Sequence, residues 1–157
     1  MATVIPNIPV ATIPSLSTTT INGWTTEDWA ALSTAQLVAL TTLQATAITS
    51  SGLSVLNSDQ LRAFETQDLR AIPTTALGGL KSDQIQALLT DQIQALSTQQ
   101  ITSLSSAQIK GLSSADMVAL TSTQVGAMTS SQFGNLSTAQ LAAVETADIK
   151  SITTSAL

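Results

Sequence analysis

The chain has no cysteine, histidine or tyrosine, and aromatic residues make up only 3% of it. Without cysteine there are no disulfides and no thiolate metal ligands, although this fixes no cellular compartment. Without histidine or cysteine, the commonest general bases and nucleophiles of enzymes are missing. We therefore expect that the protein is not an enzyme, that it has no catalytic, cofactor-binding or metal-binding residues, and that it needs no cofactor.

Charge is also scarce. Charged residues make up 10% of the chain, and the net charge of −5 comes from scattered single carboxylates. No basic surface is available to neutralise phosphates, so we expect no nucleic-acid partner. No run of about 18 apolar residues occurs, so we expect no membrane span. The N-terminal sequence MATVIPNIPVATIPSL lacks the basic start and the continuous apolar core of a secretory signal.

What the sequence does contain is a period of eight residues. In LSTQQITSLSSAQIKGLSSADMVAL, residues 96–120, leucine returns every eight residues and is always followed by two hydroxyl residues. We assign each residue to a column, which is the remainder of its number divided by eight. Column 0 is apolar in all nineteen octads from residue 8 to 152, column 5 is apolar, column 7 is mostly small, and column 2 is serine or threonine from residue 18 to 154. A frame that never slips predicts a solenoid, in which each unit stacks on its neighbours.

Continuous regular structures do not fit this period. Eight residues advance an α-helix by about 800°, so an apolar stripe would drift by about 80° in each octad. In a β-strand, columns 0 and 5 have opposite parity and would face opposite sides. The remaining interpretation is a short helix that is interrupted once in every octad, with a β-solenoid as the alternative.

The octad also carries signals for helix starts. A hydroxyl residue in column 1 with glutamine in column 4 is a capping box, and the apolar residues of columns 0 and 5 form the hydrophobic staple across it. The pattern leaves open whether column 1 or column 2 is the usual cap. Column 2 is expected to cap the helix where column 1 holds Glu65, Pro73, Lys81, Leu89 or Glu145. The sequence thus predicts an all-α solenoid of very short capped helices, one per octad, coiled into a rod with columns 0 and 5 inside and columns 3 and 6 outside.

The first sixteen residues keep the apolar period but carry prolines where the caps are expected, namely Pro6, Pro9 and Pro14. These prolines favour an extended, non-helical cover over the first coil. We therefore divide the chain into an N-terminal cap, residues 1–16, and an octapeptide-repeat solenoid, residues 17–157.

Few residues qualify as a chemical site. The carboxylate pairs Glu27/Asp28 and Glu65/Asp68 lie in columns that we assign to solvent, near helix starts, where negative charge complements the helix dipole. Calcium needs six or more oxygen ligands. Column 3 offers only one carboxylate in each coil, at Asp59, Asp83 and Asp91.

Two further features are interpreted as packing. Gly78 and Gly79 indicate a kink or a local packing adjustment rather than a phosphate-binding loop. Trp24 and Trp29, in columns 0 and 5 of one octad, are expected to be large core residues that seal the N-terminal end.

Units such as LSTAQLVAL (32–40), LSTQQITSL (96–104) and LSTAQLAAV (136–144) carry a resemblance. They are similar to the L-[S/T]-[S/T]-x-[Q/D]-[I/L]-x-[A/G] octapeptides of very long repetitive proteobacterial proteins described as adhesion or haem-utilisation proteins. The resemblance covers nearly the whole chain and implies a secreted or cell-surface structural role of the adhesin type. The chain departs from that family by being short and by having a seemingly natural start, which favours a small filament-forming subunit over a giant adhesin.

Our first hypothesis is therefore a structural repeat protein, an extracellular or cell-surface rod or filament subunit. Its main partner would be itself, by head-to-tail end stacking, with other surface or matrix components as further partners. The chain stops at Leu157 in the middle of an octad, which suggests either a piece of a longer array or an end that docks onto another copy.

Two alternatives remain. The first is a binding module that recognises a protein or glycan along the solenoid surface, which needs an apolar or aromatic patch outside columns 0, 5 and 7; the sequence shows almost none. The second, minor alternative is an ice-binding solenoid that uses the regular hydroxyls of columns 1 and 2. Capping already accounts for these hydroxyls, and serine replaces threonine freely among them.

Overall fold

Short helices begin once in every octad. The computed structural model describes residues 5–144, and within them sixteen α-helices of four to six residues begin eight residues apart, from Thr18 to Thr138. Every one of these helices begins in column 2. The all-α interpretation is confirmed, because the described part of the chain contains no strand of the alternative β-solenoid.

Column 1 is the usual cap. Before α3 (Thr34–Val38), the Ser33 hydroxyl accepts a hydrogen bond from the Gln36 backbone N–H at 3.2 Å, and the Ser33 N–H donates to Gln36 Oε1 at 2.8 Å. This reciprocal capping box recurs along both halves of the chain. It satisfies two of the backbone N–H groups that every helix start leaves open.

The expected shift of the cap to column 2 is wrong. The helices that follow Glu65, Pro73, Lys81 and Leu89 still begin in column 2, and none of these four residues makes a side-chain cap bond. The start of these helices therefore does not depend on a cap hydroxyl, and at α8 (Thr74–Leu77), where column 4 is Ala76, it depends on packing. Glu145 lies outside the described residues, as does the chain end at 157.

The N-terminal segment is also helical, which corrects the expected extended cover. Residues Ile5–Asn7 and Val10–Ser15 form two 3-10 helices, and Ile5 and Ile13 within them are fully buried. Proline fixes φ near −65°, which suits a 3-10 turn as well as an extended chain. The i→i+3 hydrogen bonds of this segment use none of the proline nitrogens.

The chain divides into two compact units, Met1–Leu80 and Lys81–Leu157. The helices of the first unit are α1 (Thr18–Asn22), α2 (Thr26–Ala31), α3, α4 (Thr42–Ala45), α5 (Ser50–Leu53), α6 (Ser58–Arg62), α7 (Thr66–Ala71) and α8 (Thr74–Leu77). Each contacts the third helix along the chain, α1 with α4 through α5 with α8, and the two 3-10 helices contact α2 and α3 in the same way. One turn of this coil therefore takes three octads, a number that the sequence left open.

The second unit repeats this arrangement. Its helices are α9 (Ser82–Ala87), α10 (Thr90–Ala95), α11 (Thr98–Ser103), α12 (Ser106–Ile109), α13 (Ser114–Ala119), α14 (Ser122–Ala127), α15 (Ser130–Phe133) and α16 (Thr138–Ala143). Contacts again join each helix to the third one along, from α9 with α12 to α13 with α16. Helices this short are unstable alone, so the contacts between turns must supply the stability.

Columns 0 and 5 form the core of both units, as predicted. The column 0 residues Leu96, Leu104 and Leu112 are all buried, and column 5 is fully or almost fully buried from Ile5 to Val125. Columns 3 and 6 are exposed along nearly the whole described chain. In most of the described octads, the two apolar side chains of columns 0 and 5 therefore converge inside the coil.

Small residues in column 7 let neighbouring turns approach. A Cβ atom added to Gly79 would lie in hard contact with the backbone oxygen of Ser50, one turn earlier. The backbone oxygen of Ser82 would be equally in the way of a Cβ on Gly111. The sequence interpretation of Gly79 as a packing adjustment is supported by this contact.

The glycine pair provides a test of this close approach. We expect Gly79→Ala to lower the free energy of unfolding by about 1–3 kcal/mol, because the backbone of Ser50 must move to admit the new methyl group. Gly78→Ala is the matched control: its φ is −60° and its Cβ would meet nothing closer than 3.5 Å, so we expect it to be neutral or slightly stabilising. Urea unfolding followed by circular dichroism measures both. Equal effects of the two substitutions would contradict the packing described here.

Candidate functional site

The most distinctive polar feature of the protein is the glutamine of column 4. Ten octads carry glutamine there, and all ten of these side chains are buried. The side-chain oxygen accepts the backbone N–H of column 1 in the same octad, as in the bond from Thr129 N–H to Gln132 Oε1 at 2.9 Å. This bond leaves the two amide hydrogens free to reach elsewhere.

Those hydrogens bind the preceding turn of the coil. Gln132 Nε2 donates to the backbone oxygens of Ile101 and Leu104, each at 2.8 Å. The same pair of bonds, to carbonyls 31 and 28 residues earlier, is made by Gln36, Gln44, Gln60 and Gln140. Gln124 donates to Leu96 at 2.6 Å and to Gln94 at 3.0 Å. We call this set of bonds the amide stitch.

The amide stitch was missed in the sequence interpretation, which placed column 4 among the solvent columns. The sequence does, however, contain a signal that column 4 is buried. A capping box accepts glutamate as readily as glutamine, yet column 4 contains ten glutamines and no glutamate. Only the amide supplies donors as well as an acceptor. The exclusion of glutamate therefore indicates a buried position that needs both.

Aspartate replaces glutamine in three described octads, and at Asp68 and Asp116 the direction of the bond between turns is reversed. The hydroxyl of Thr42 donates to Asp68 Oδ1 at 2.7 Å, and that of Thr90 donates to Asp116 Oδ1 at 3.0 Å. Asp68 is only 1% exposed, which corrects its assignment to solvent. Burial raises the pKa of the Asp68 carboxyl, the hydrogen bond from Thr42 opposes that rise, and the charge of Glu65 adds to it.

The tryptophan pair belongs to the core, as predicted for Trp29. Trp29 is fully buried, and the half-buried Trp24 meets it edge to face with ring centroids 5.1 Å apart. Gly52, in column 4 of the next turn, makes room for the indole, because a Cβ there would lie 2.6 Å from Trp29 Nε1. That N–H is buried without an acceptor among the described residues. The large side chain of Trp29 in column 5 is therefore accommodated because column 4 of the next turn holds glycine, which has no side chain.

The described structure does not bring together the other carboxylates that the sequence analysis considered as a chemical site. Asp28 accepts the N–H and hydroxyl of Thr25 at the start of α2, and Glu27 is exposed beside it. Glu27 is a column 3 residue, and the other column 3 carboxylates are exposed on three further helices, at Asp59, Asp83 and Asp91. Among residues 5–144 there is no cluster of three potential metal ligands. The helices of that range are also too short to span a bilayer.

An open cleft of about 610 Å³ lies between successive turns of the second unit. Polar residues dominate its lining, which includes Lys110, Ser113, Ser114, Asn135 and Ser137. Ser114 is engaged in packing the turns, since its hydroxyl donates to the backbone oxygen of Ala139 at 3.4 Å. Among these lining residues there is one cation and no acid–base pair.

Comparison with known proteins identifies the repeat. A model of the ALTTAQ repeat matches the chain four times, over residues 13–42, 61–98, 90–122 and 114–146. These matches cover well over half of the chain. The protein belongs to the ALTTAQ repeat family. No curated protein and no solved structure matches it.

The amide stitch makes a direct prediction for this ALTTAQ repeat coil. We expect Gln132→Glu to lower the free energy of unfolding at neutral pH by about 2–4 kcal/mol, because a buried carboxylate replaces the two amide donors and faces the carbonyl oxygens of Ile101 and Leu104. The matched control is Gln99→Glu, in exposed column 3 of the same unit, which adds the same charge and is expected to stay within about 0.5 kcal/mol. Urea unfolding midpoints measure both variants. A Gln132→Glu variant as stable as its control would contradict the stitch.

Asp68 makes a pH-dependent prediction. Its folded-state pKa lies above the ordinary value of 3.8, so the folded chain binds more protons than the unfolded chain between those two pKa values. The free energy of unfolding therefore rises as the pH falls through that window. We expect Asp68→Asn to be stabilising at pH 7, and the gain to shrink as the pH is lowered towards 4. Asp59→Asn, at an exposed site, is the control. A gain from Asp68→Asn that grows on acidification would contradict the assignment.

Proposed function

We propose that this ALTTAQ repeat protein is a structural subunit that joins end to end with further copies of itself, outside the cell or at its surface. The observation that carries this proposal is that different core columns are uncovered at the start and at the end of the described coil. In the first turn, the column 0 residues Ile8, Leu16 and Trp24 are only half-buried, whereas later residues of that column are almost all buried. At the other end, column 5 becomes uncovered: Phe133 is half-buried and Leu141 is 55% exposed.

This difference follows from how turns pack. Trp29, in column 5, packs against Gly52 of the next turn, so a column 5 side chain is covered from the C-terminal direction. In the first turn no earlier turn is described that could cover column 0, and beyond that turn Leu136 is the one half-buried residue of this column among the described residues. Column 0 is therefore covered mainly from the N-terminal direction. If the first turn of one copy stacks on the last turn of another, column 0 of the first copy therefore meets column 5 of the second. These two columns already meet inside each unit.

We call the contact between the first turn of one copy and the last turn of another the joint, and its geometry favours fibres. It links two different surfaces, and a head-to-tail contact that does not close into a ring continues as a filament. The joint is expected to be weak, because burying an apolar side chain contributes about 1.5–3 kcal/mol, while association costs about 4–15 kcal/mol. Assembly should therefore depend on concentration.

A location at the cell surface, with a role in adhesion or as a spacer, is supported by the likeness of the octads to those of long bacterial surface proteins. Immunodetection of the protein in the medium, on intact cells and in the cell lysate tests this location. Recovery of the protein in the lysate alone would contradict it.

A pair of substitutions tests the joint. Sedimentation velocity over a wide range of concentrations should show the unsubstituted protein forming larger species as concentration rises. We expect Leu141→Asp to abolish this, because it places a charge in the apolar joint. Val38→Asp is the matched control, since Val38 is 48% exposed but lies in column 6 on the side of the coil. A protein that is monomeric at every concentration would contradict the proposal, and so would assembly by the Leu141→Asp variant at the level of the control.

A further inference from the structure

The amide stitch is missing from column 4 of the first turn. The three column 4 residues there are Thr12, Thr20 and Asp28, whereas the next two octads along the chain both carry glutamine. Thr12 and Thr20 are exposed and Asp28 is half-buried. No glutamine amide therefore points from this turn towards whatever lies on its N-terminal side.

None of these three residues can replace the amide. A threonine side chain carries a single hydroxyl on a short stem, and an ionised aspartate has no donor. The Thr20 hydroxyl is paired with the Ser17 hydroxyl at 2.9 Å, and Asp28 is engaged with Thr25 at the start of α2. The first turn thus presents apolar column 0 side chains without the hydrogen-bond donors that accompany every described glutamine stitch.

The carbonyls that would receive such donors belong to columns 5 and 0. At the other end of the described coil these are the backbone oxygens of Phe133, Leu136, Leu141 and Val144, in the octads where column 5 becomes uncovered. The Phe133 and Leu141 oxygens each accept one hydrogen bond inside their own octad, at 3.1 and 3.2 Å. A carbonyl oxygen has a second lone pair, which at Ile101 and Leu104 receives the glutamine of the next turn.

We infer that the first turn is a stacking surface for a second copy of this chain. This surface lacks the amide stitch, so the joint between two copies is weaker than the contact between turns within one copy. This inference rests on the proposed end-to-end association and specifies its chemistry. It explains how one repeat gives a stable coil inside the chain and a reversible joint between chains. Adding glutamine at the two exposed positions should convert the reversible joint into a tight one.

The test is the double variant Thr12→Gln/Thr20→Gln, compared with the control Ala11→Gln/Thr19→Gln. The control adds the same two amides to the same two elements, but in exposed column 3. The concentration at which half of the protein is assembled is measured by sedimentation velocity and light scattering. We expect the column 4 variant to assemble at a concentration about tenfold lower, or more, for each glutamine added. Circular dichroism and urea midpoints that match those of the unsubstituted protein show that both variants are folded.

The outcomes separate this inference from the proposed function. Assembly by the column 4 variant no stronger than that of its control overturns the inference, whether or not the unsubstituted protein assembles. If the unsubstituted protein and the control stay monomeric while the column 4 variant assembles, the inference stands and the proposed self-association is wrong. If no variant assembles, both are wrong.

Discussion

The structure depends on a buried primary amide that satisfies backbone groups in two turns of the coil at once. Helices of four to six residues leave most of their N–H and C=O groups without partners inside the helix. The column 4 glutamine accepts a hydrogen bond from one N–H at the start of its own helix and donates to two carbonyls of the preceding turn. Gln132 makes these bonds with Thr129, Ile101 and Leu104. Each such bond contributes only about 0.5–1.5 kcal/mol, although a buried polar group that is left without any partner costs more than that. Repetition of this small term along the coil, together with the burial of columns 0 and 5, holds together helices that would not form alone.

Other features of the octad follow from this arrangement. Turns must lie close enough for an amide to bridge them, which accounts for small residues in column 7 and for the tight approach of Gly79 to Ser50. Where column 4 departs from glutamine, its contact with the preceding turn is different as well. Trp29 is accommodated by Gly52, and Asp68 is matched by a donor from Thr42. The contact between turns is also directional, because amides point towards the N-terminal side and column 5 side chains are covered from the C-terminal side. The two faces of a turn are therefore different.

Much of this fold could be predicted from the sequence because the eight-residue period is carried by side-chain class. Columns 0 and 5 are apolar without interruption, which places Leu96, Leu104 and Leu112 inside. The capping signals of columns 1 and 4 then predict one helix per octad. The number of octads per turn could not be predicted, because it depends on backbone angles between helices that many side-chain patterns tolerate. The predicted shift of the cap at Glu65 and Pro73 is wrong because packing between turns, and not local capping chemistry, sets where these helices begin. The burial of column 4 was missed for a similar reason: glutamine is usually exposed, and its second set of partners lies about thirty residues away in the sequence.

Exchange of side-chain amide hydrogens tests the central claim most directly. Nuclear magnetic resonance resolves the Nε2 hydrogens of individual glutamines, and their exchange with deuterated water can be compared within one sample. The account predicts that the amides of Gln36, Gln44, Gln132 and Gln140 exchange slowly and in step with global unfolding. Those of Gln86, Gln94 and Gln99, in exposed columns 3 and 6, should exchange at the rate of a free side chain. Equal and rapid exchange in both groups would contradict the amide stitch and the account of the coil that depends on it.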